Sequence, residues 1–158
     1  MLRLRHGQAM VETLLAAVFI TFILLFLFQL MNMLTSRILL DHAAARAARA
    51  KSVGFNDYMC LKSARVAMIP VAGKRTWPNE DIDEVSRLPI YLAAENEGRA
   101  RGILEYDRWD STRLDVDSGL GLSPVVRSRI LMDAGEWSMD GEAEVESHFP
   151  LYMNDQGL

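Results

Sequence analysis

Cysteine is almost missing from this chain. Cys60 is the only one among 158 residues, so no intramolecular disulfide can form and no multi-Cys cluster exists to hold a transition metal. A lone thiol of this kind reads as a small buried hydrophobe. Histidine is equally sparse: His6, His42 and His148 stand near no evident nucleophile. Neither a G-x-S-x-G context nor a phosphate-binding glycine loop occurs. These absences indicate a protein that is not an enzyme, with no metal and no cofactor. Two further absences are confined to one region. Glycine and proline are both missing from Gln8 through Val53, and formal charge is missing from Thr13 through Leu34. The first allows a single helix of 46 residues, about 69 Å long. The second makes its inner half apolar enough for lipid.

Thr13 to Leu34 is 22 residues, about 33 Å as a helix, against a hydrocarbon layer of roughly 30 Å. Fourteen of those positions are Leu, Ile, Val or Phe. At a fraction of a kcal/mol each they favour insertion by about 4 to 8 kcal/mol before polar costs. A secretory signal has a shorter apolar core with a small-residue cleavage site close behind it. Here the run is too long, and Ala43-Ala44-Ala45 lies too far past its end. Asp41 to Lys51 is nearly all Ala and Arg, strong helix formers, so the helix is expected to continue beyond the membrane as a stalk.

Charge divides the chain. Residues 1–51 carry six Lys/Arg and two acids, net +4, whereas residues 52–158 carry eleven Lys/Arg and nineteen acids, net −8. An acidic distal part argues against nucleic acid, which requires a basic stripe. Arg3 and Arg5 precede the apolar run while Arg37, Arg46, Arg49 and Lys51 follow it. The positive-inside rule therefore leaves the direction of insertion open.

The amino terminus carries a motif. Met1-Leu-Arg-Leu-Arg-His-Gly7 is a short basic leader ending in Gly, Gln8-Ala-Met-Val-Glu12 places a carboxylate five residues past that Gly, and the apolar run begins at Thr13. This order resembles type IV pilins and pseudopilins, in which a prepilin peptidase cuts after the Gly. Gly7-Gln8-Ala9-Met10-Val11-Glu12 is most similar to the G-x-A-x-V-E form of TadE-like minor pseudopilins of the tight-adherence (Tad/Flp) type IVb pilus family. The resemblance covers about the first thirty-five residues. It implies processing between Gly7 and Gln8, an amino terminus in the cytoplasm, a single pass through the bacterial inner membrane and a head outside it. The implied partners are the prepilin peptidase, other pilin helices, and the assembly platform with its cytoplasmic motor.

The resemblance also implies a register role for Glu12. Cleavage after Gly7 would place a new α-amino cation four residues before Glu12, and in a helix bundle one subunit's carboxylate could meet a neighbour's terminus. An unpaired charge in such a bundle is penalised. The plainer reading leaves Glu12 among the headgroups, where the helix dipole favours it. Thr21, Gln29 and Asn32 fall within about an 80° sector at 100° per residue. They are candidate helix-helix contacts, although ordinary solvation near the outer membrane face also accounts for Gln29 and Asn32.

The remaining chain has room for one domain. The expected division is a leader at 1–7, a transmembrane and stalk helix at 8–53, and a head at 54–158. After Gly54, the spacing of Phe55, Tyr58, Met59, Val66 and Ile69 predicts a helix before Pro70. Gly73 through Pro89 reads as a loop. Pro89 suits the first turn of a helix from Ile90 to about Tyr106, weakened by Gly98 and Gly102.

Beyond Trp109 the period becomes two. Leu114 and Val116 mark one strand, Val126, Ser128, Ile130 and Met132 a second, and Ala143, Val145, Ser147, Phe149 and Leu151 a third. If the last two pair antiparallel, Arg127 and Arg129 can oppose Glu144 and Glu146. Asp115-Val-Asp117-Ser-Gly119 is a fragment of a calcium-loop pattern without the remaining ligands, and reads as a strand end entering a turn. Trp77, Trp109 and Trp137 read as core. The fold class is α+β: a long amino-terminal helix carrying a small pilin-like head of helices on a three-stranded antiparallel sheet.

The resulting expectation is a minor pseudopilin that takes part in the initiation, tip or base complex of a Tad/Flp pilus. Major Flp-type pilins are much shorter. A pseudopilin of a related secretion or DNA-uptake system would share the leader and Glu12. An uncut bitopic protein with an extracytoplasmic binding domain would tolerate replacement of both Gly7 and Glu12.

Overall fold

The structure, a computed structural model, describes residues 4–78, 84–117, 125–133 and 138–146. Helix α1 spans Leu4–Ser52, 49 residues without a break, as the absence of Gly and Pro from Gln8 to Val53 predicts. It ends in a Schellman turn. The Phe55 N–H donates to the Ala50 carbonyl at 3.1 Å and the Gly54 N–H to Lys51 at 2.9 Å, while Gly54 takes φ 96°, a left-handed position that glycine adopts without a Cβ clash.

By internal contacts the chain forms two units, residues 1–36 and residues 37–158. In the first, the large apolar side chains from Met10 to Leu34 are exposed. The second unit includes the carboxyl-terminal part of α1. Leu40, Ala43, Ala44, Ala47 and Ala48 are fully buried, so this stretch is a core element of the head and not a solvated stalk.

The head then runs through α2 (Asp57–Ala67), a 3-10 turn at Ile69–Val71, β1 (Arg75–Trp77), α3 (Glu84–Ala93), α4 (Glu97–Arg101), β2 (Glu105–Tyr106), β3 (Arg113–Asp117), β4 (Val125–Asp133) and β5 (Ser138–Glu146). The last three strands form an antiparallel sheet in the order β3-β4-β5, and β1 pairs with β2 in a separate ribbon. The α+β class and the three-stranded sheet are as expected. Along β4 the burial alternates, with Val126, Ser128, Ile130 and Met132 inward, as the period of two predicts.

Several expectations need correction. The presumed loop from Gly73 to Pro89 contains β1 and the first half of α3. Pro89 is inside α3 and not in its first turn. Although it lacks an N–H for the helical ladder, burial of Tyr91 and Ala94 beside half-buried Leu88 holds this short helix against the head. The helix expected from Ile90 to Tyr106 is divided. α3 ends at Ala93, the Asn96 side chain caps α4 by accepting from Arg99 N at 2.9 Å, and the chain then enters β2. Arg127 does face Glu144, but Arg129 faces Glu142 and Glu146 faces Val125, because the antiparallel register is offset by two residues from the one that would set both arginines across from Glu144 and Glu146. Trp109 is buried, while Trp77 is half exposed and donates Nε1–H to Gly102 O. Trp137, Gly119 and the strand positions Ser147 to Leu151 lie outside the described residues.

Two apolar cores share α2. Cys60, Ala64 and Met68, spaced by four, join Leu40, Ala43, Ala44 and Ala47 of α1 and Ile130 and Met132 of β4. Tyr58, Val66 and Ile69 border the other core, built on Tyr91, Leu104, Tyr106 and Trp109. In the first core, sheet and helix meet backbone to backbone. A Cβ on Gly141 of β5 would lie 2.5 Å from Leu40 C and 2.7 Å from Asp41 N. Beside this contact Ser128 Oγ–H donates to Ala44 O at 2.5 Å in a buried position. Gly141→Ala should therefore destabilise the head by about 2 to 3 kcal/mol. Gly54→Ala should cost about 1 kcal/mol through backbone strain alone. Denaturant midpoints of the full-length protein in detergent measure both, and equal effects at the two sites would contradict the close approach at Gly141.

Candidate functional site

Gly7 and Gln8 lie within the helical span of α1, with no break between them and Glu12. Gln8 and Glu12 are exposed one turn apart, which places them on one side of the helix. Thr21 Oγ1–H donates to Ala17 O at 2.8 Å, so its hydroxyl is satisfied within its own helix. The Gln29 and Asn32 side chains are exposed, and the Asn32 carbonyl accepts from Ser36 Oγ at 2.9 Å. Within the chain these polar groups are thus on the helix surface. By length and composition α1 can cross a membrane, and the large apolar side chains from Met10 to Leu34 are exposed.

Sequence periodicity missed the most distinctive chemistry of the head, two cations buried on α2. Lys62 is 1% exposed and Arg65 is 7% exposed. Lys62 Nζ donates to Leu92 O at 2.8 Å and Ala94 O at 2.6 Å, capping the carboxyl end of α3, where carbonyls lack helical partners and the dipole favours a cation. The Tyr58 ring face lies 5.0 Å from the same ammonium, adding a cation–π contact. Arg65 Nη2 donates to Trp109 O at 3.3 Å, and its Nη1 stands 3.6 Å from Glu97 Oε1. One helix thus ties α3, α4 and the turn after β2 together through charge. The signal that could have found it is the spacing of Tyr58, Lys62, Arg65 and Ile69, which puts two cations on an apolar stripe.

Around this cluster Trp109 stacks obliquely on Tyr91, centroids 5.2 Å apart, and on Tyr106 at 4.7 Å. Burial pushes the Tyr91 hydroxyl's pKa up, against an opposing pull from the Arg65 charge. Tyr58 is raised mainly by burial, with Glu97 adding to it. Burial also raises the Cys60 thiol, leaving less of the reactive thiolate. Lys51 is raised by its 2.7 Å hydrogen bond to Asp57, whereas burial lowers Lys62.

Among the described residues no group of three or more His, Cys, Asp or Glu side chains is placed to hold a metal ion. The ionic ladder on the outer sheet face joins Arg127 to Glu144, and Arg129 to Asp140 and Glu142 at 3.2 Å each. These side chains are largely exposed, so each pair contributes little to stability. No family model matches this chain, and no match was found among curated proteins or among solved structures.

Four groups of the head point to an alkaline limit. Cys60, Tyr58, Tyr91 and Lys51 have folded pKa values above their ordinary 9.0, 10.0, 10.0 and 10.5. Each contribution is complete below the ordinary value and is lost as pH rises through the folded one. Lys62 works in the opposite sense, its burial cost easing as it loses its proton below 10.5. The head should therefore lose stability above about pH 9, read as a falling thermal midpoint. Lys62→Met, which leaves two carbonyls without their donor, should cost about 1 to 3 kcal/mol at pH 7. A neutral result would show that the Leu92 and Ala94 carbonyls find other partners.

Proposed function

We propose that this chain is a TadE-like minor pseudopilin of the Tad/Flp type IVb pilus family, acting in pilus assembly after cleavage between Gly7 and Gln8. The observation that carries this reading is the arrangement of one helix. Gly7, Glu12 and the uncharged run Thr13–Leu34 follow one another on unbroken α1, and the large apolar side chains of that run are exposed. They offer an unpartnered surface to lipid and to other helices. The outer part of the same helix is built into an α+β head, which is the division of labour a pilin requires.

In this reading Arg3 and Arg5 of the leader stay in the cytoplasm, α1 crosses the inner membrane once, and the head lies outside. The prepilin peptidase removes residues 1–7, and the freed α-amino group of Gln8 becomes a cation one helical turn from Glu12. In a bundle, Glu12 of one subunit pairs with the amino terminus of its neighbour, because a carboxylate among apolar helices without a partner is strongly disfavoured. That pairing sets axial register. Neighbouring pilins supply the helix contacts, with Gln29 and Asn32 available at the surface, and the assembly platform with its motor supplies the movement. The head, larger than a major Flp-type pilin needs, suits an initiating, tip or base subunit.

Intact mass of the protein co-expressed with its cognate prepilin peptidase tests this directly. Wild type should lose the mass of Met1 through Gly7, and Gly7→Ala should keep it. An intact amino terminus in both would replace the pseudopilin reading with that of an uncut membrane-anchored protein. Glu12→Gln should still be cut but should cross-link to pilus subunits at least tenfold less, in proportion to the loss of about 1.4 kcal/mol or more from a charge pair in a helix bundle.

A further inference from the structure

One of the two terminal strands of the sheet, β3, is unpaired on one side among the described residues, the order being β3-β4-β5. A groove of about 420 Å³ follows that side. Leu114 and Val116 face the core side of the sheet and Asp115 the solvent side, yet all three line the groove. Side chains from opposite faces of one strand meet the same space only along its edge. Half-buried Tyr58 and Leu61 of α2 form the facing apolar wall.

The charges placed along this groove by the described residues have one sign. Among the described residues Asp57, Glu97 and Asp115 line it, and no Lys or Arg does. Two of the acids have cations behind them: Asp57 is held by Lys51 at 2.7 Å, and Glu97 stands 3.6 Å from both Arg65 and Arg101. Asp115 differs. Its cross-strand neighbour Arg129 is engaged by Asp140 and Glu142. A strand edge left open in this way is a template for another chain.

We propose that the β3 edge and this groove receive an extended segment of a partner protein, with basic side chains alternating with apolar ones, added as a further strand of the sheet. Backbone hydrogen bonds to β3 provide the attachment, and the side chains select the segment. Basic positions lie beside Asp115 on the solvent side, and apolar positions beside Leu114 and Val116, against Tyr58 and Leu61. A second copy of this chain fits poorly, since antiparallel pairing of two β3 strands about their centres would set one Asp115 against the other. Such docking is independent of the pseudopilin reading and involves only the head.

The test uses the full-length protein in detergent micelles and the peptide acetyl-Thr-Lys-Val-Lys-Val-Lys-Thr-amide. Binding should slow hydrogen exchange in β3, and exposed Asp115→Lys should weaken it by about tenfold or more while the thermal midpoint holds. Two versions of the peptide, N-methylated at odd or at even residues, keep the charge but block one edge each; one version should lose binding and the other retain it. Equal binding by both, or unchanged exchange in β3, would show attraction by charge alone and overturn strand addition. Protection of β3 by self-association without peptide would overturn it in favour of a second copy. Neither result would bear on cleavage after Gly7, which the intact mass decides separately.

Discussion

Between Leu40 of α1 and Gly141 of β5 the two backbones approach so closely that a methyl group has no room. That contact governs the head. It requires glycine on the strand and small residues along the helix, and Ala43, Ala44 and Ala47 supply the latter. It also brings Ser128 near enough to hydrogen-bond the Ala44 carbonyl, and the Glu142 N–H to within 3.3 Å of Asp41 Oδ1. Little apolar area is available from alanines, so stability at this seam depends on close fit, where van der Waals attraction is lost over fractions of an ångström.

α2 extends this arrangement. Its Cys60, Ala64 and Met68 stripe faces the α1-sheet core, while Lys62 and Arg65 reach the other way and take carbonyls from α3 and from Trp109. Buried cations are costly unless their hydrogen bonds are satisfied and their charge is placed well. Lys62 meets that demand with two carbonyls and an aromatic face. The second core is thus organised by polar direction as much as by apolar area. Short elements such as α4 and the β1-β2 ribbon can hold their places there, although neither is long enough to be stable alone.

Helix α1 runs through both units of the molecule. Its amino-terminal part carries Gly7, Glu12 and the uncharged run Thr13–Leu34, and its carboxyl-terminal part is a wall of the head core. Assembly through α1 and recognition at the β3 edge would use different surfaces and different physics: desolvated helix contacts in one case, backbone pairing with selective charge in the other.

The amino-acid sequence by itself determined the continuity of α1, because no Gly or Pro interrupts Gln8 to Val53, and it determined the strands β3 and β4 and the second half of β5, though not its start at Ser138, because alternating burial follows a period of two. It also revealed the Gly7-to-Glu12 pattern, where spacing along one chain is the entire signal. Only tertiary structure decided that Ala43, Ala44 and Ala47 face a sheet, that Lys62 and Arg65 are interior, that Pro89 sits within α3, and that Arg129 meets Glu142. Alanine is helical in solvent or in a core alike, a cation on an apolar stripe is read as an interruption until its carbonyl partners are known, and strand register depends on where two distant segments meet. Those are properties of approach between elements, and periodicity within an element carries no record of them.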